Sequence, residues 1–240
     1  MTALPWPRAC TILARLFLKR TLRSRVLWIM ALILSLPGIV ALALLENEPS
    51  QAWMVSLGTA ISLLAIVPPV FAGGVVADEL DAQTYTFLWS RPLPRWTVLA
   101  GKLMGAIPVV MVVIVASGAV GWKALEPEGL VDTDALLSAC VALVIGSIAA
   151  CTVAAGIGTL VVRHPIVAGI VYMLLLDVPI GHIPFSLRHL SLSFQISELA
   201  GVGEVGVDAL VSLAWIAGVT LVWLIVGLWR VGRLEGAAKA

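Results

Sequence analysis

The sequence predicts an all-α integral membrane protein with six transmembrane helices, and three observations lead there. Of 240 residues, 60% are hydrophobic and only 12% charged, where a soluble domain carries about 25% charged. The mean hydropathy is +1.06. The apolar residues fall into six runs of membrane-spanning character, and the basic residues collect on alternate connections between them, as they do in a chain threaded back and forth through a bilayer. The whole chain, 1–240, is read as a single transmembrane domain.

Residues 8–25 come first. Ile12, Leu13, Leu16 and Phe17 share one side of a helix, while Arg15, Lys19 and Arg23 share the other. This pattern predicts a basic amphipathic helix lying in the interface, drawn to anionic lipid. The first span follows at about 26–45. Ala41-Leu42-Ala43 offers a small-x-small site, but the apolar run is too long for a cleaved signal peptide, whose core is about 7–15 residues.

The second span, about 53–76, is interrupted by Pro68-Pro69 and Gly73-Gly74. Membrane helices tolerate such breaks where neighbours satisfy the freed backbone groups. A kink here either lines a pathway or serves packing, so Pro68 and Pro69 are candidate pathway residues.

Between the second and third runs lies the most polar internal stretch of the chain, carrying Asp78, Glu79, Asp81, Arg91, Arg95 and Lys102. Each charge costs about 2.5–3.5 kcal/mol at the centre of a membrane helix, against a gain of about 0.3–0.6 kcal/mol for a Leu or Val. These groups must therefore face water or another protein at the membrane surface. Residues 78–89 contain no Gly or Pro, and their acids come first, which suits a helix N-terminus. Leu80, Thr84, Phe87 and Leu88 recur at helical spacing on one face. Pro92 and Pro94 then disfavour helix in the residues before them. The stretch reads as a short amphipathic helix on the membrane surface, followed by a basic hinge.

The third span, about 98–121, contains Pro108 and a Gly101-x-x-x-Gly105 pair of the kind that lets helices approach closely. An acidic loop with Glu126, Glu128, Asp132 and Asp134 leads to the Ala- and Gly-rich fourth span, about 135–162. Arg163-His164-Pro165 turns the chain into the fifth, about 166–180. Asp177 is the one acid within a predicted span. Intramembrane acids are functional by default, which makes Asp177 a second candidate pathway position, although it lies near the end of its span. Residues 181–208 are too polar to span and too apolar for a plain loop. Leu187, Leu190, Phe194 and Ile196 predict short helices dipping into or lying on the outer leaflet. The sixth span is about 209–229.

Orientation follows from the bases. With the N-terminus inside, thirteen of the fifteen Lys and Arg residues lie on inner segments, leaving Lys123 and Arg188 outside. Six spans then place both termini and the 78–95 segment in the cytoplasm. Trp28, Trp53, Trp122, Trp215 and Trp229 fall at or near span ends, as an aromatic belt requires.

The segment resembles the signature of ABC-2-type exporter permeases, whose cytoplasmic stretch after the second helix has roughly the form E-x-x-x-G-T … L-x-S-x-P-x-x-R … G-K. Here Glu79 takes the acidic position and Thr84 the hydroxyl; Leu88 is the apolar residue; Ser90 and Pro92 make the turn; Arg95 is the base, and Gly101-Lys102 start the third helix. Gln83 replaces the usual Gly. The motif covers residues 78–102, and the topology covers nearly the whole chain. The resemblance implies an elbow helix at 8–25, a coupling helix at 78–89 within the cytoplasmic 78–95 segment, and re-entrant outer helices before the last span. It implies a homodimer or related heterodimer of permeases in a bacterial cytoplasmic membrane, surrounded by lipid and bound to two copies of a separate ABC ATPase. In that arrangement Leu80, Tyr85, Phe87 and Leu88 would dock on the ATPase. Glu79, Arg91 and Arg95 would supply polar registration and Pro92 the turn, with Asp78 and Thr84 as further coupling residues.

The motifs exclude some chemistry. The chain has no G-x-x-x-x-G-K-[ST] loop, so ATP would have to be bound by the partner subunit. It has no H-E-x-x-H or G-x-S-x-G, and His164, His182 and His189 are scattered. No catalytic residue, metal site or cofactor of its own is expected, and no nucleic-acid partner. Cys10, Cys140 and Cys151 do not form a disulfide framework. The alternatives are a secondary transporter or channel, which would place ionisable residues at mid-span, and a non-transporting scaffold or immunity-type protein. The transported substrate is not legible, because fold does not decide it.

Overall fold

In the computed structural model, the described residues are 6–24, 26–46, 48–77, 96–126, 131–183, 186–203 and 205–233. Every regular element among them is helical. Four helical stretches are long and apolar enough to cross a membrane: Gln51–Gly73, Trp96–Leu125, Thr133–Leu160 and Ala209–Arg233. The protein is thus a multi-pass helical membrane protein. The two remaining apolar stretches, Leu32–Leu45 and Pro165–Gly181, are shorter.

Helix α1 (Trp6–Leu22) packs along the start of α5 (Trp96–Leu125). The Gly101 and Gly105 pair makes this possible. A Cβ on Gly101 would stand 3.1 Å from the Cys10 carbonyl oxygen, and one on Gly105 would stand 2.9 Å from that of Ala14. The close-approach pair therefore receives α1. Leu13 and Phe17 are half-buried on this seat, whereas Ile12 and Leu16 stay exposed beside the basic residues. The apolar side of α1 is divided between the protein and its surroundings. Trp6 and Trp96 close the contact, with ring centroids 5.4 Å apart.

The first apolar run forms α2 (Val26–Leu34) and α3 (Leu36–Leu45), parted at Ser35. Pro37 brings no N–H to the carbonyl one turn back, and the Ser35 hydroxyl donates to Leu32 O at 2.7 Å. The second run begins as α4 (Pro49–Ser62) and is reshaped by the adjacent prolines. Two successive missing N–H groups release two carbonyls. The chain first tightens to a 3-10 turn at Leu63–Ala65 and then widens to a π-helical turn at Pro69–Gly73. In α5, Pro108 is carried inside one continuous helix.

The Ala- and Gly-rich α6 (Thr133–Leu160) is the hub, touching α5, the Pro69–Gly73 turn, α7 (Pro165–Tyr172), α9 (Leu192–Leu199) and α10 (Ala209–Arg233). After α7, a second π-helical turn at Met173–Asp177 leads into the short α8 (Val178–Gly181). A 3-10 turn, Ser186–Leu190, precedes α9. Ile196 of α9 is fully buried and faces Gly146. Gly146 lies thirteen residues into α6, or about 20 Å at 1.5 Å per residue. Helix α9 thus reaches well inside the bundle, while Leu187 and Leu190 remain exposed.

Charge divides the two ends. The described bases Arg8, Arg15, Lys19, Arg20, Arg23, Lys102, Arg163, Arg230 and Arg233 gather at the end holding α1. The described acids Glu46, Glu48, Glu126, Asp132, Asp134, Asp177, Glu198 and Asp208 lie toward the end holding α9. Lys123 there pairs with Glu126, which leaves Arg188 as the other described base at that end.

Candidate functional site

The α9 end holds a cavity of about 590 Å³ between the middle and end of α4, the end of α8, and α9 with its following loop. From α4 come Met54, Val55, Gly58, Thr59 and Ser62. From the opposite wall come Val178, His182, Arg188, Phe194 and Ser197. The volume lies within the usual range for small-molecule sites, about 300–1,000 Å³.

The polar groups of the wall are largely committed. The Thr59 hydroxyl donates to Val55 O and that of Ser62 to Gly58 O, both at 2.8 Å. The Ser197 hydroxyl donates to Phe194 O, also at 2.8 Å. His182 places Nδ1 2.8 Å from Val178 O, so Nδ1 carries the proton that bridges them. Arg188 differs. Its guanidinium lies 5.3 Å from the Phe194 ring centroid, and among the described residues no carboxylate pairs with it.

The opposite wall is held by two buried acids. Asp177 is 6% exposed. Its Oδ1 accepts from Leu192 N at 2.7 Å and its Oδ2 from Ser193 N at 2.9 Å. It therefore sits at the amino end of α9, where the helix dipole and free N–H groups favour an anion. Ser191 caps the same helix, its Oγ accepting from Phe194 N at 3.2 Å. Glu198 leaves the other end of α9 and accepts from Val205 N and Val207 N at 3.0 and 2.9 Å. Gln195 donates to His189 O at 3.0 Å, and the His189 ring stacks on Trp215 with centroids 6.0 Å apart. His189 is thereby part of the packing of α9 against α10.

Of the candidate pathway residues, Asp177 lies behind the cavity wall with its carboxylate engaged by α9. Pro68 and Pro69 are buried away from the cavity, and Pro69 faces Gly169 of α7. The structure does not bring these three together around one opening. The expected coupling residues Asp78, Glu79, Leu80, Thr84, Tyr85, Phe87, Leu88, Arg91, Pro92 and Arg95 lie outside the described residues. The residues that bracket them, Ala77 and Trp96, both stand at the base-rich end. Lys102 is buried there rather than solvated, and its Nζ donates to Val75 O at 2.7 Å. This bond joins the end of the second apolar run to the start of the third.

Sequence reasoning missed Glu198. The signal was the acid itself followed by Gly201, Gly203 and Gly206, since a glycine-rich turn frees amides to surround a carboxylate. Gly201 and Gly206 take φ of +76° and +67°, which favour glycine. The cavity was also missed, because it depends on how separate helices face each other. No protein-family model matches the chain, and a search of curated proteins finds no significant relative.

Proposed function

We propose that the chain is the membrane-spanning subunit of an ATP-driven transporter of the ABC-2 type, exporting its cargo across a bacterial cytoplasmic membrane. The observation that carries this reading is that Ala77 and Trp96, the described residues on either side of 78–95, both stand at the base-rich end. By the positive-inside rule that end is cytoplasmic, which is where an ATPase would find the segment.

Six spans fit the lengths. The α2–α3 pair covers twenty residues, or about 30 Å at 1.5 Å per residue, equal to a typical hydrocarbon core. The Pro165–Gly181 stretch covers seventeen residues, at the short end of the spanning range. On this reading α1 is the elbow helix, docked on α5 with Ile12 and Leu16 offered to lipid. Helix α9 is the outer helix that reenters the bundle, and two permease copies join two ATPase subunits. The Lys102 contact with Val75 would hold the two ends of the coupling segment in register, so that a push on one is felt by both helices.

Affinity purification of the tagged chain from mild detergent tests the proposal. A soluble ATPase should co-purify, and Glu79→Lys or Arg95→Glu should release it and abolish ATP-dependent transport. Retention of both after charge reversal, or an exterior location of the 78–95 segment by site-directed labelling, would refute the assignment.

A further inference from the structure

We propose that the cavity at the α9 end binds an amphipathic anion, a carboxylate or phosphate head on an apolar body. Three features of the wall select this class. The lining supplied by Met54, Val55, Val178 and Phe194 is apolar, which favours a hydrocarbon body. The hydroxyl protons of Thr59, Ser62 and Ser197 are spent on the protein's own carbonyls, and Ser193 Oγ lies 3.0 Å from Ser191 Oγ, so a neutral hydrogen-bonding ligand gains little from them. Arg188 is half-buried on the wall and, among the described residues, faces a ring rather than a carboxylate. A guanidinium in a partly dehydrated site favours an oxyanion through paired N–H donors. It also repels a cationic amphiphile of the same shape, which is where the discrimination arises.

Gly58 leads into the same space. It lies on the cavity face of α4, and a Cβ added there meets nothing within 4 Å. Counted from Pro49, the residue lies nine positions into its helix, about 13 Å at 1.5 Å per residue. The apolar body would lie along this part of α4, with the head at Arg188. The inference rests on the permease reading only for what drives and directs the ligand; occupancy is a property of this chain alone.

The test uses the purified full chain in phosphatidylcholine nanodiscs, titrated with the fluorescent fatty-acid probe dansylaminoundecanoate. Saturable binding is expected, with displacement by dodecyl phosphate but not by dodecyltrimethylammonium or inorganic phosphate. Arg188→Gln should weaken the probe roughly tenfold or more, as loss of a charge-assisted contact does, and Arg188→Lys should recover part of this. Gly58→Phe should abolish binding while leaving the melting temperature unchanged, and it decides the matter should Arg188→Gln fail to fold. Equal displacement by the cation or by inorganic phosphate would overturn the proposal, as would unchanged binding in Gly58→Phe. Doping the bilayer with phosphatidylglycerol separates the sources: displacement identifies an anionic lipid, and its absence a soluble amphiphile, both of the proposed chemistry. Probe binding without any co-purifying ATPase would uphold this inference while sinking the permease reading. ATP-driven transport with no anion preference would do the reverse.

Discussion

Asp177 Oδ1 accepts the backbone N–H of Leu192 at 2.7 Å, across fifteen residues of sequence. The contact ties the widened turn of one apolar helix to the first residue of another, and so fixes where α9 enters the bundle. An acid within an apolar run invites a reading as a proton or substrate relay. Here its two oxygens are taken up by the amides of Leu192 and Ser193 and the hydroxyl of Ser191.

The anchor role predicts a loss of stability. Asp177→Ala would leave two amide N–H groups without their acceptor, at a cost of about 1–3 kcal/mol for each buried group left unsatisfied. Thermal unfolding of the detergent-solubilised protein should show a clear drop in melting temperature. Asp177→Asn retains one acceptor oxygen and should fall between. A variant that melts like the parent but loses the proposed transport would reassign Asp177 to the pathway.

Glu198 makes a parallel prediction at the far end of α9. Its carboxylate gathers the amides of Val205 and Val207, and Gly203 is packed so closely that a Cβ would overlap the carboxyl group. Glu198→Ala should therefore speed hydrogen exchange at the Val205 and Val207 amides. Gly203→Ala, which displaces the carboxylate instead of removing it, should do the same. Unaltered exchange in both would mean that the loop is held by other contacts.

The apolar helices were legible because hydrocarbon demands long uninterrupted runs. The expected 98–121 and 209–229 spans correspond to Trp96–Leu125 and Ala209–Arg233. The prolines of the second run also marked a real change of helical geometry. The partners of Asp177 and Glu198 were not legible, because backbone amides lend a carboxylate no recognisable side chain. Nor was the burial of Lys102, which by composition alone belongs with the solvated bases. The cavity wall joins Gly58 and Thr59 to Arg188 across more than a hundred residues, and no local periodicity encodes that pairing.

Cys10 reports whether α1 is docked. Its thiol is 4% exposed and lies 3.8 Å from the Thr97 carbonyl oxygen, to which it donates. Burial pushes its pKa up, an effect only partly offset by the backbone hydrogen bond. At any given pH less thiolate is present than on a free cysteine, and the thiolate is the reactive form. Maleimide labelling of a variant with Cys140 and Cys151 replaced by Ala should be far slower than for a free thiol at neutral pH. The rate should keep rising with pH beyond the point at which that of a free thiol levels off. Labelling at the free-thiol rate would show α1 to be a loose basic tail.

The tightest helix crossing among the described residues gives the last prediction. A Cβ on Gly158 of α6 would overlap the carbonyl oxygen of Gly73, at the end of the π-helical turn that the prolines impose. That carbonyl is backbone and cannot swing aside like the tip of a side chain. Gly158→Val should therefore push α6 away from the second apolar run, close to the Lys102 contact with Val75. Poor yield and an early-melting, aggregation-prone protein are expected. Gly218→Ala on α10 is the matched control, because a Cβ there meets nothing within 4 Å. It should express and melt like the parent. If both variants behave alike, the crossing has slack and helix separation is not set by glycine at this point. If only Gly158→Val fails, the close approach of α6 to the Pro69–Gly73 turn is a requirement of the fold.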